Sequence, residues 1–96
     1  MIKHVVFFRF KPEAGADARR AAVEQLRALP DKIDVIRSFE VGEDILHSAR
    51  AWDVVLIATY DDLGALDIYT RHDDHVEVVV KLREICEAVG SVDYEY

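Results

Sequence analysis

The chain has 96 residues, enough for one sheet with two or three helices and too few for a second domain, and its composition, 51% apolar and 32% charged, is that of a folded and not a disordered chain. Its 19 acidic and 12 basic side chains leave a formal charge of −7 with no basic run beyond Arg19-Arg20, which excludes a concentrated footprint for nucleic acid. No apolar run approaches the roughly 18 residues of a membrane span, and the single Cys86 excludes an intramolecular disulfide, so neither nucleic acid nor a membrane is an expected partner.

The sequence opens directly on a strand pattern with no leader signature, and a cytoplasmic location is the corresponding expectation. Ile2 to Phe10 is rich in aromatic and β-branched residues and reads as a strand. Ile2, His4, Val6, Phe8 and Phe10 share one face of it, and Lys3, Val5, Phe7 and Arg9 the other. A turn with Pro12 and Gly15 follows, then a helix from Ala18 to Leu29 with Asp17 as its cap and Pro30 as its stop. Asp31 to Arg37 is a connection anchored by Ile33 and Ile36. Ser38 to Val41 is a short strand, with Gly42 marking a bend or bulge, and Glu43 to Ala51 is a polar excursion.

Trp52 to Tyr60 is the strongest strand, with Trp52, Val54, Leu56, Ala58 and Tyr60 on one face and Val55, Ile57 and Thr59 on the other. Asp61 or Asp62 caps a short helix, Leu63 to Thr70. His72 to His75 is a joint or a continuation, after which a long amphipathic helix runs to Val89, with Val76 and Val79 on its buried edge. Cys86 fills space inside that helix, and Gly90 stops it as a left-handed cap. Ser91 to Tyr96 alternates as a last strand.

Strand, helix, strand, strand, helical pair, strand is the order of a ferredoxin-like α+β sandwich, a four-stranded antiparallel sheet with helices on one face. Its other face carries Val5, Phe7, Val55 and Ile57, so the expected assembly is a homodimer in which two sheets meet as a dimeric α/β barrel. Between Leu66 and Val80, Tyr69, His72 and His75 recur at three-residue intervals ahead of an apolar stripe, which offers a phenol and two imidazoles to one neighbourhood. His4 can reach the same space from the first strand.

The opening MIKHVVFFRFK, the central IRSFEVGED, the strand WDVVLIATYDD, the segment ALDIYTRHDDH and the terminal VDYEY together resemble the stress-responsive dimeric α/β-barrel family over essentially the whole chain. The resemblance implies a ferredoxin-like fold and a homodimer with facing sheets. Members include stress-associated proteins and a plant polyketide cyclase that closes an aromatic ring as a cofactor-independent lyase. Carried over from that cyclase, the site falls on His4, Tyr69 and His75, with His72 as the first histidine of the segment. Members usually read His-Pro-x-His where this chain reads His72-Asp73-Asp74-His75.

Ring closure of that kind needs a base for an activated C–H, a donor for enolate oxygen and an apolar enclosure. Histidine titrates near neutral pH, which suits His75 to the first task, with Tyr69 and His4 orienting it or donating to oxygen. Phe8, Phe10, Leu26 and Val79 are the expected enclosure and His72 a further ligand contact for a small hydrophobic or polyketide-like molecule. No cofactor and no metal site is expected: the glycines form no dinucleotide fingerprint, and His72 and His75 lack a specified third ligand. The same residues also suit plainer roles, His4 and Tyr69 as hydrogen-bonded core groups and His72 as a helix cap, in a stress-associated structural dimer without catalytic activity.

Overall fold

The computed structural model describes residues 1–96. In chain order the elements are β1 (Ile2–Phe10), α1 (Ala16–Ala28), a 3₁₀ turn at Leu29–Asp31, β2 (Ser38–Glu43), β3 (Val54–Tyr60), α2 (Leu63–Arg71), α3 (Asp73–Ile85) and β4 (Cys86–Glu95). The sheet has the order β2-β3-β1-β4 and every pairing is antiparallel.

Period-two alternation in the two central strands decides which face meets the helices. Ile2, Val6, Phe8 and Phe10 of β1 and Val54, Leu56, Ala58 and Tyr60 of β3 are buried there, against Ala22, Val23 and Leu26 of α1, Tyr69 of α2, and Val78 and Leu82 of α3. Leu29 and Ile33 close the core beneath the 3₁₀ turn. Each buried Val, Leu, Ile or Phe side chain contributes roughly 1.5–3 kcal/mol by leaving water, and the alanines less.

The sheet is open and no barrel is closed. β2 bonds only to β3 and β4 only to β1, so four strands leave two free edges that do not meet. That corrects the barrel expected from the sequence, whereas the ferredoxin-like sandwich with helices on one face stands. On the uncovered face, Trp52 packs on Phe7 at 6.0 Å between ring centres, and Arg9 and Lys3 lie over the rings of Trp52 and Tyr96 at 4.4 and 4.6 Å. Val92 and Tyr94 of β4 extend this apolar surface and remain exposed.

Other expectations are corrected at element ends. The last helix stops at Ile85 rather than Val89, and Cys86 is already extended (φ −102°, ψ 135°). Gly90 has no positive φ and pairs with Phe7, so it is no helix cap. The reason is tertiary: β1 runs nine residues and takes a partner along its whole length, from Phe10 opposite Cys86 to Ile2 opposite Glu95. That ladder overrides the helical preference of Glu87-Ala88-Val89. Cys86 is therefore buried at the start of a strand rather than inside a helix. Gly42 sits in regular register opposite Val55, without a bulge. Gly15 occupies the N-cap of α1 and Asp17 its first turn, where its charge suits the helix dipole.

Candidate functional site

Asp62 starts α2 by accepting the Ala65 N–H at 2.8 Å. The helix ends at His72, whose backbone is extended (φ −61°, ψ 136°), and the same residue caps α3 by accepting the Asp74 N–H on Nδ1 at 3.2 Å. Asp73 and Asp74 occupy the first turn of α3, favoured there by the helix dipole. One residue therefore terminates one helix and begins the next. In an unbroken helix, Tyr69 and His75 would point about 120° apart, since six residues turn the chain through about 600°. Across this joint their rings lie 4.3 Å apart. The break also resets the face of α3: Val78 and Leu82 are buried, while Val76, expected on the buried edge, is 46% exposed.

His75 Nδ1 lies 3.0 Å from the Thr70 carbonyl, which can only accept, so Nδ1 carries the proton and the neutral ring keeps its lone pair on Nε2. Burial pulls the His75 pKa below the ordinary histidine value, and the nearby His4 and His72 act in the same direction against the opposing bond to Thr70. His4, on the helix side of β1, bonds through Nδ1 to the Asp93 carboxylate of β4. Its ring meets Tyr60 and Tyr69 edge-on, at 6.3 and 5.9 Å. Tyr60 and Tyr69 lie 5.2 Å apart, and burial raises both phenols far above their usual range, so both stay protonated. Tyr60 is fully buried and its hydroxyl has no hydrogen-bond partner.

His4, Tyr69 and His75, but not Tyr60, line a cavity of about 270 Å³ between the sheet and the helices. Among the residues anticipated from the sequence, His4, Tyr69, His75, Phe8, Leu26 and Val79 line it. Phe10 does not: it is buried in the core beneath the Arg19 guanidinium. His72 borders a separate surface depression with Asp67, Ile68 and Arg71. No three His, Cys, Asp or Glu side chains converge on a point that would hold a metal ion.

Sequence reading missed Tyr60, Asp93, Arg83 and Ser91. Tyr60 was signalled by its place on the buried face of β3, and Asp93 by alternating with Val92 and Tyr94. Ser91 shares that alternation with Asp93, whereas Arg83 carried no such signal; Ser91 and Arg83 both line the cavity. The resulting arrangement sets a neutral imidazole beside a protonated phenol at the polar end of an apolar chamber. Such a pair can remove a proton from carbon and donate a hydrogen bond to the oxygen that gains charge.

The sequence pattern of the stress-responsive A/B barrel domain family matches residues 2–96. The chain belongs to this family. Among solved structures, a dimeric protein of unknown function and ferredoxin-like fold from Bacteroides fragilis is 31% identical, with a TM-score of 0.85 over 99% of this chain and 95% of its own. A dimeric ferredoxin-like protein of unknown function from Thermobifida fusca is 21% identical, with a TM-score of 0.90 over 99% of this chain and 90% of its own. A hydroxynitrile lyase from Passiflora edulis is 14% identical, with a TM-score of 0.86 over 97% of this chain and 90% of its own. The latter two likenesses show the fold alone. A search of curated proteins gives no match. No helix of this family member is long and apolar enough to cross a membrane.

Proposed function

We propose that the protein binds a small apolar carbonyl compound in the cavity between sheet and helices and moves a proton there without a cofactor, as a polyketide cyclase-like lyase would. The observation that carries this reading is the state of His75: its Nδ1–H is committed to Thr70, its free Nε2 is unprotonated near neutral pH, and its ring lies against Tyr69. In the step envisaged, Nε2 takes the proton from the carbon next to a carbonyl, the C–H electron pair forms the enolate, and the Tyr69 hydroxyl donates to the enolate oxygen. His4, tied to Asp93 and packed edge-on against Tyr69, orients the phenol. A cavity walled mainly by aliphatic and aromatic side chains limits water around the reacting groups and so strengthens these interactions.

The protein works as a homodimer joined through the open sheet face in this reading. Support comes from the apolar residues left uncovered there and from relatives described as dimeric in Bacteroides fragilis and Thermobifida fusca. The cytoplasm is the proposed setting, where the free Cys86 stays reduced. The alternative, a stress-associated structural dimer without catalysis, asks for a filled interior. A chamber with polar groups at one end favours the ligand-binding reading instead.

The test is deuterium exchange into the methyl group of acetophenone in heavy water, followed by NMR. Wild type should exceed buffer, and His75→Ala should lose roughly 10²-fold of that excess. An equal rate for His75→Ala in a variant that remains folded would remove His75 from the chemistry.

A further inference from the structure

We infer that the cavity takes an elongated apolar carboxylate, with its acid group held by Arg83 and its other end presented to His75. The inference rests on the reading of the cavity as a ligand site and adds the class of ligand. His75 and Arg83 both line the chamber and are eight residues apart on α3, so the helix rise sets them about 12 Å apart along its axis. The facing wall gives the same measure: His4 and Phe8 line the floor on one face of β1, four residues or about 13 Å apart. Between the two ends the α3 wall is Val78, Val79 and Leu82. The chamber is thus a slot with imidazoles and a phenol at one end and a guanidinium at the other.

The state of Arg83 shows that this cation is available. Arg9 stacks on Trp52, Arg19 and Arg27 donate to backbone carbonyls, and Arg20, Arg37 and Arg71 pair with Asp17, Asp61 and Asp67. Arg83 forms no ion pair and no side-chain hydrogen bond. Arg50 is also unpaired, but it lies on the β2–β3 connection, which contributes nothing to the cavity lining. A cation in the last turn of a helix gains from the dipole wherever its side chain points; that accounts for the charge and not for its place on the wall of an apolar slot. In a chain of net charge −7, an unpaired guanidinium at a cavity mouth is a local exception to the prevailing field. Its planar fork matches a carboxylate through two parallel N–H···O bonds.

Calorimetric titration of the full chain with octanoate and with octanamide, equal in length and differing in charge, tests this. Octanoate should bind roughly 10-fold more tightly, the scale of one charge-assisted contact at a partly exposed site, with the preference shrinking as salt is added. Arg83→Gln should abolish the preference, and Arg83→Lys should keep part of it. Equal binding of the two ligands by wild type, or a preference that survives in Arg83→Gln, would overturn the assignment. So would failure of both ligands to bind. If acetophenone exchange by wild type persisted in any of these cases, the proton-transfer reading would stand without the anion end.

Discussion

Replacing Tyr60 by phenylalanine should leave the protein as stable as it is or make it more so, the reverse of the usual result for a buried tyrosine. Tyr60 is fully buried at the end of β3, opposite Ile2, with its ring against those of His4 and Tyr69. Its hydroxyl has left water and makes no bond within hydrogen-bonding geometry, the neighbouring Tyr69 hydroxyl being the candidate partner whose bond would reverse the expected sign. Leaving a buried polar group unsatisfied costs about 1–3 kcal/mol, whereas a satisfied one contributes about 0.5–1.5 kcal/mol. Removing the oxygen therefore removes a cost, against which stands only the small loss of dispersion contact around one atom. The net expectation is a gain of about 1 kcal/mol, which for a chain of this length raises the melting temperature by roughly 4–8 °C. Urea unfolding of wild type and Tyr60→Phe at one fixed protein concentration, with m-values compared, measures it directly. A loss of more than about 1 kcal/mol at unchanged m would show that the hydroxyl is bonded in solution and that the account of this cluster is wrong.

His72→Ala removes the Nδ1 acceptor that caps α3 and should cost about 1 kcal/mol in the same assay, while leaving acetophenone exchange at the wild-type rate in the folded variant; a large selective loss of exchange would give His72 a chemical role. For His75, a pKa held below 6.5 by burial means that its contribution to stability is complete above that pH and is lost as pH falls through the lower folded value. The exchange rate should likewise be flat through neutrality and decline only on the acid side, and a midpoint above 6.5 would contradict the assignment. Phe7→Asp places a carboxylate on the open sheet face, where burial without a partner costs several kcal/mol; sedimentation should report monomer or unfolded chain, and an intact dimer would place the interface elsewhere. Leu82→Ala should cost about 2–5 kcal/mol, because Leu82 is buried between sheet and helix, and a change under about 1 kcal/mol would mean that the α3 packing is wrong.

The central strands were legible because their signal is local. Alternation in Ile2–Phe10 and Trp52–Tyr60 assigned a side of the sheet to each residue, correctly for His4 on the helix side and wrongly for Trp52, which precedes β3 and packs on Phe7 on the uncovered face. The boundary between α3 and β4 was not legible, since Glu87-Ala88-Val89 is an acceptable continuation of a helix by every local measure. Only the length of β1 makes these residues a strand, and that is a property of residues some 80 positions away. Misplacing that boundary hid Val89, which lines the cavity only as part of β4. Tyr69 and His75 could be named as neighbours in sequence, but helical spacing was the wrong reason for their approach: they meet because the helix breaks between them. Arg83 was unreadable as a site residue because a cation in the last turn of a helix is ordinary, and its lack of a partner is visible only in three dimensions.

The double duty of His72 makes it an elbow between two rigid arms. Tyr69 rides on one arm and His75 on the other, so the gap between phenol and imidazole is governed by one residue's backbone torsions and not by either helix. Rotation at the elbow would leave the hydrogen-bond ladders inside α2 and α3 intact but would have to stretch the His75–Thr70 bond that straps the two arms together. The position after the elbow then becomes a tuning point. A proline at position 73 would lock the torsion of the first residue of α3 and bias His72 toward extended backbone, whereas Asp73 imposes neither restraint. Changes confined to this corner can alter the aperture of the chamber without replacing any side chain that lines it.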